Sequence, residues 1–178
     1  MTYAGNALTH AARLLAIAAA MALAPAAFAD EYTDVTQLMR SGKFTEALAK
    51  ADQHLVGKPR DPQMRFLRGV VQTEAGRAAD AITTFTQLTE EYPELAEPHN
   101  NLAVLHAGQG EYDKARTALE AAIRANPGYA IAHENLGDVH ARLAAVFYAR
   151  AQQLDTRNTS VPAKLALVRQ VFPAPQAR

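Results

Sequence analysis

The sequence predicts an all-α fold built as a stack of helix-turn-helix units, and three observations carry that expectation. Residues recur at a spacing of 34, the recurring residues are helix stops or small side chains, and the stretches between them are amphipathic at a helical period. Gly42, Gly76 and Gly110 are 34 apart, as are Ala47, Ala81, Ala115 and Ala149. Pro59, Pro93 and Pro127 make a third column, and Gly69, Ala103 and Gly137 a fourth.

Each column has a physical reading. In Gly42, Phe44, Ala47 and again in Gly110, Tyr112, Ala115, a helix stop is joined to the next helix start, and the glycine takes the turn between them. The alanines mark places where two helices cross too closely for a larger side chain. Leu55, Leu88 and Ile123 then supply apolar packing from the second helix, which the proline ends. Leu102, Leu105 and His106 share one helical face, and Leu119, Ala122 and Ile123 share another.

Length and composition bound the rest. A chain of 178 residues is enough for one packed domain. It has no cysteine, which excludes a disulfide, a thiolate metal site, a thiol nucleophile and the acylated cysteine of a bacterial lipoprotein. Arg13, the apolar run Leu14 to Leu23, Pro25 and the small-x-small triplet Ala27-Phe28-Ala29 read as a cleaved secretory signal over residues 1–29. The run is shorter than the about 20 residues that span a bilayer, so export to the periplasm of a Gram-negative bacterium is expected, with no stable membrane insertion after cleavage. Removing Arg13 from the 18 Lys and Arg leaves 17 against 18 acidic residues, a net charge of minus one. The total charge therefore gives no argument for nucleic acid or an anionic membrane as partner.

Leu102, Ala103, Gly110, Tyr112, Ala115, Leu119, Ala122 and Pro127 resemble the tetratricopeptide repeat consensus almost position for position, and the resemblance covers Glu31 to Asp155. It implies a right-handed α-solenoid of about three to four helix-turn-helix repeats over residues 30–158, with units near 30–61, 62–95, 96–129 and 130–158. Ser160 as a cap, Pro162 in a first turn and the stripe Leu165, Val168, Val171 and Phe172 predict a capping helix over 159–172, before a disordered tail at 173–178.

Three units depart from the pattern. The first has little recognisable first helix. In the second, Arg65 and Arg68 stand where the family prefers apolar residues, which predicts a first helix of different phase. In the fourth, Ala144 replaces the turn glycine, so its two helices are expected to be shortened or fused.

No catalytic motif is present: there is no glycine-rich phosphate loop, no Gly-x-Ser-x-Gly and no His-Glu-x-x-His. No catalytic, cofactor or metal residue is assigned, and the chain is read as a non-enzyme. His99 and His106 are seven apart, and His133 and His140 repeat the pair 34 residues on. A histidine metal site is the alternative from another functional class; the resemblance instead makes these histidines planar fillers between helices. Glu90, Glu91, Glu94 and Glu97 flank Pro93 and read as a solvated acidic loop.

The resemblance also implies that first helices line a concave groove that holds a protein or peptide partner. Carried over by repeat position, the groove residues are Gln63, Val70, Thr73 and Glu74 in the second unit and Glu97, Asn100, Asn101, Val104 and Ala107 in the third. Ile131, Glu134, Asn135, Asp138 and Arg142 complete it in the fourth, while Phe66 is assigned to the core. Asn101 and Asn135 share a repeat position and could hydrogen-bond a peptide backbone. Family members that clamp a terminal carboxylate use several Lys or Arg, and only Arg142 is available here. The expected function is an exported adaptor or scaffold acting in cell-envelope assembly, with a carrier or chaperone for unfolded exported chains as the alternative.

Overall fold

The computed structural model describes residues 26–172, with side chains from Glu31 onward. It is all-helical among these residues: α1 (Ala26–Arg40), α2 (Phe44–Gly57), α3 (Pro62–Glu74), α4 (Ala78–Glu91), α5 (Ala96–Gly108), α6 (Tyr112–Ala125), α7 (Ala130–Leu154) and α8 (Ser160–Val171). Each helix packs on the next in sequence, which is the arrangement of a helical solenoid. Of the expected leader, only the backbone of residues 26–29 is described, as part of α1, and the expected tail at 173–178 lies outside the described residues. No described helix is long and apolar enough to cross a membrane.

The turns inside the first three units rest on one backbone feature. Gly42, Gly76 and Gly110 have φ of 72°, 72° and 77°, the left-handed region that glycine enters without a Cβ clash. At the equivalent place the fourth unit has Ala144, and α7 runs through it as one 25-residue helix. Of the two expectations for this unit, fusion is the outcome. The chain turns back only after Leu154, and α8 then packs on α7.

The small columns have visible causes. Ala47, Ala81 and Ala115 are fully buried at helix crossings. A Cβ built on Gly69 would lie 2.6 Å from the Phe85 ring, itself fully buried, whereas one on Gly137 meets nothing within 4 Å. The same column thus has a packing requirement in the second unit and none in the fourth, where the neighbouring second helix is missing.

Arg65 and Arg68 do not shift the second unit. Its α3 begins at Pro62, 34 before Ala96 of α5, and buries Met64, Leu67, Val70 and Val71. The arginines keep the consensus positions and reach sideways. Arg65 makes a two-pronged pair with Glu91 of α4 at 2.7 and 2.8 Å, and Arg68 Nε donates to Asp52 of α2 at 2.6 Å. Beneath them, buried Gln72 and Thr84 hydrogen-bond across α3 and α4 at 2.7 Å. The expectation of a different phase failed because arginine satisfies these half-buried sites with its stem and a carboxylate rather than by moving the helix.

The first unit also has a full first helix, contrary to expectation. Tyr32 and Val35 of α1 are buried against Ala47, Leu48 and Ala51 of α2 and Met64 and Leu67 of α3. Polar groups reinforce this joint. Asp61 caps α3 through Oδ1, which accepts from the backbone N–H of Gln63 and Met64 at 3.0 and 3.2 Å. Its Oδ2 accepts from the Tyr32 hydroxyl and faces His54 Nε2 at 2.7 Å, while Nδ1 of the same buried imidazole faces Glu31. Burial alone would raise the Asp61 pKa, but hydrogen bonds from Tyr32, His54 and the Met64 N–H outweigh it and hold the carboxyl below its ordinary range.

These contacts set two expectations for stability. Gly69→Ala should destabilise the fold by about 1–3 kcal/mol through overpacking against Phe85, while Gly137→Ala should stabilise it by about 0.5–1 kcal/mol by lowering unfolded-chain entropy and favouring helix; paired urea melts distinguish the two signs. Because the Asp61 pKa is depressed in the fold, its contribution is present above the unfolded carboxyl pKa and lost as pH falls through the folded value. A pH titration of stability should therefore fall in the acid range for the native sequence and fall less for Asp61→Asn.

Candidate functional site

Two pairs of first helices touch, α1 with α3 and α5 with α7, and the inner face expected from the sequence is the side on which they meet. The sequence-derived groove residues divide on this face into two groups. Gln63, Glu74, Glu97 and Glu134 are exposed, and Thr73, Asn101, Val104, Ala107, Ile131 and Asp138 are half-buried. These side chains present some surface along α3, α5 and the first half of α7.

The second group is not available. Val70 is fully buried and packs with Ala81, Phe85 and Leu88, so it belongs to the core, and half-buried Phe66 tilts against the Phe85 ring with centroids 5.7 Å apart. Asn100 and Asn135 are also buried, and Asn135 Nδ2 donates to Asn100 Oδ1 at 2.8 Å. The amide expected to hold a peptide backbone is instead bonded between α5 and α7. The two asparagines are 35 residues apart, one repeat plus one, and that offset places side chains of adjacent first helices opposite each other. This pairing was the available signal, hidden because the two were assigned to different columns.

Asn101 keeps an exposed edge, but its Nδ2 donates to its own helix at Glu97 O, 2.9 Å away, leaving its oxygen as the group it offers outward. Thr73 Oγ1 likewise donates back to Gly69 O at 3.0 Å. Arg142, the one cation assigned to the groove, lies 4.2 Å over the Phe172 ring of the C-terminal segment and 6.0 Å from the Tyr112 ring centroid. Its guanidinium thus fastens the end of α8 to α7. Among the described groove positions no arginine is left over for a carboxylate clamp.

Three of the four repeated histidines serve turns or the loops between units. His99 Nε2–H donates to Pro93 O at 3.2 Å, and His133 Nε2–H donates to Pro127 O at 2.9 Å, each tying a first helix to the loop before it. Burial lowers the His99 pKa, with Arg124 adding to the effect, so the neutral Nε2–H form suits this bond. His106 Nδ1 faces Glu111 across the α5–α6 turn at 2.6 Å. Among the described residues no group of three or more His, Asp or Glu could hold a metal ion. His99 and His133 thus recur with the loop that precedes each first helix, whereas His140 lies within the unbroken α7, where no turn follows it.

Two sequence models of the tetratricopeptide repeat match the chain, one over residues 32–96 and the other over 72–137. No curated relative matches. Among solved structures, the Sgt2 TPR domain from Aspergillus fumigatus superposes with a TM-score of 0.63 at 19% identity, covering 71% of this chain and 85% of that one. TTC0263, a thermophilic TPR protein in Thermus thermophilus, gives 0.59 at 21% identity over 81% and 82% of the two chains. The first TPR of Spaghetti (RPAP3), bound to the HSP90 peptide SRMEEVD, gives 0.59 at 14% identity over 64% and 90%. At these identities the likeness is one of fold.

Truncating Asn135 to alanine would leave buried Asn100 without its partner. A loss of about 1–3 kcal/mol in unfolding free energy is expected, whereas Asn101→Ala, at a half-buried site, should change stability by less than about 0.5 kcal/mol.

Proposed function

We propose, on the premise that this chain belongs to the tetratricopeptide repeat family, that it is a non-catalytic scaffold whose inner face holds a segment of a partner protein. The observation that carries the reading is the inner face itself. Half-buried Thr73 on α3 and Asn101, Val104 and Ala107 on α5 are small side chains, and exposed Glu97 and Glu134 lie on α5 and α7. The backbone that carries them is fixed by buried helix contacts, so a docking segment orders itself without also ordering its receptor.

The same face argues against one partner class. The RPAP3 repeat domain is bound to an acidic HSP90 peptide, but here Arg142 is stacked on Phe172 and the exposed groove charges named above are carboxylates. A partner segment with polar, uncharged or basic side chains fits this edge better than an acidic terminus.

The setting we propose is the periplasm of a Gram-negative bacterium, in cell-envelope assembly. The support is the leader pattern at residues 1–29 together with the absence of cysteine and of any catalytic motif in the sequence. Affinity capture from envelope extract, with the native sequence beside a Thr73→Arg, Val104→Arg double variant, tests the groove. One abundant protein depleted at least about tenfold by the variant, which should melt within about 1 kcal/mol of the native chain, is the expected result. Capture of the same protein by both would place binding on another face, and capture of many unrelated unfolded chains would favour a chaperone.

A further inference from the structure

The fused fourth unit leaves one end of the molecule unlike the rest. Ala132, Leu136, Val139 and Leu143 face the core that α6 completes, and this core stops at Leu143. At the helical spacing of three and four residues the same stripe continues through Val146, Phe147, Arg150 and Leu154. With Tyr112, the first residue of α6, already close to Arg142, these last turns extend past the end of the helix that covered the stripe. Phe147 is 67% exposed and Leu154 72%. The shorter α8 covers another side of α7, with Lys164 over the Tyr148 ring, and has exposed Leu167 and Val171 of its own. Among the described residues, Val56 is the one other large hydrophobic side chain exposed to this degree.

The charge distribution singles out the same end independently. Residues 139–178 hold six of the 18 Lys and Arg but one of the 18 acidic residues, Asp155. Arg150, Arg157, Lys164 and Arg169 are exposed, and Arg157 reaches Asp155 at 4.0 Å, the outer limit of an ion pair. The balanced total charge conceals this asymmetry.

We propose that this C-terminal end, the overhang of α7 with α8, is a docking surface for the face of an anionic lipid bilayer. The proposal is separate from the inner-face reading and does not depend on it. Exposed aliphatic and aromatic side chains interleaved with cations, with almost no carboxylate to repel phosphate, are the pattern of helices that rest in the headgroup region. Exposed apolar groups sit on both helices of this end, Val146, Phe147 and Leu154 on α7 and Leu167 and Val171 on α8. Association of this kind is peripheral, in keeping with the lack of a described membrane-crossing helix.

The chain contains no tryptophan, so Phe147→Trp places a single reporter at the proposed contact. The full chain carrying this reporter is mixed with vesicles of phosphatidylcholine alone or with about 30% phosphatidylglycerol. The expected result is a blue shift and quenching by bromine-labelled acyl chains on anionic vesicles, reversed by salt. Neutralising Arg150, Arg157, Lys164 and Arg169 to glutamine should weaken the response about fivefold per cation. The Leu154→Ser variant should weaken it further with an unchanged melting curve. An unshifted indole emission on anionic vesicles, or an equal shift on zwitterionic ones, overturns the proposal. A concentration-dependent shift without lipid also overturns it, by assigning the surface to a second copy of the chain.

Discussion

At Gly42, Gly76 and Gly110 the backbone turns through positive φ, a conformation that costs a residue with a Cβ about 1–2 kcal/mol. That turn lets two short helices lie antiparallel within 34 residues, and the alanines that follow each glycine allow the close crossing it creates. Neither helix of a unit has enough apolar surface to be stable alone, so each unit needs the next, and the stack is the consequence. Where the glycine is replaced, at Ala144, the helix continues, because the extended helix keeps its backbone hydrogen bonds and the strained turn would have to break them.

Polar groups in the interior hold the register between units. Asp61 joins α1, α2 and α3 through Tyr32, His54 and the first turn of α3; Gln72 and Thr84 join α3 to α4; Asn100 and Asn135 join α5 to α7. No buried side-chain nitrogen or oxygen among the described residues lacks a hydrogen-bond partner, so these groups specify geometry without leaving an unpaired dipole in the core. They also remove side chains from the inner face. What remains there for a ligand is narrower than the repeat positions suggest, since Asn135 and Val70 are spent on packing and Arg142 on Phe172.

The fold was readable because its constraints are local and periodic. A glycine at positive φ, an alanine at a crossing and a proline after a helix each leave the same residue at the same offset, and α3, α5 and α7 begin 34 residues apart, at Pro62, Ala96 and Ala130. The sites were less readable because side-chain reach is not periodic. Arg65 occupies an apolar position by pairing with Glu91, and Asn135 turns from groove to interior because Asn100 lies across from it. Neither fact is a property of one column. The C-terminal surface was hidden for a different reason: a whole-chain charge sum cannot show that cations gather where Ala144 leaves a helix uncovered.

The most direct test of this account is the length of α7. The chain has no cysteine, so Ala130→Cys and Gln153→Cys provide two unique sites for spin labels, both on exposed positions of that helix. An unbroken helix separates them by 23 residues, or about 34 Å between backbone positions at 1.5 Å per residue. A narrow distribution near that distance is the predicted result. A distribution centred near about 10 Å, the spacing of packed antiparallel helices, would mean that the fourth unit folds back as the others do, and the exposed stripe and its consequences would not exist.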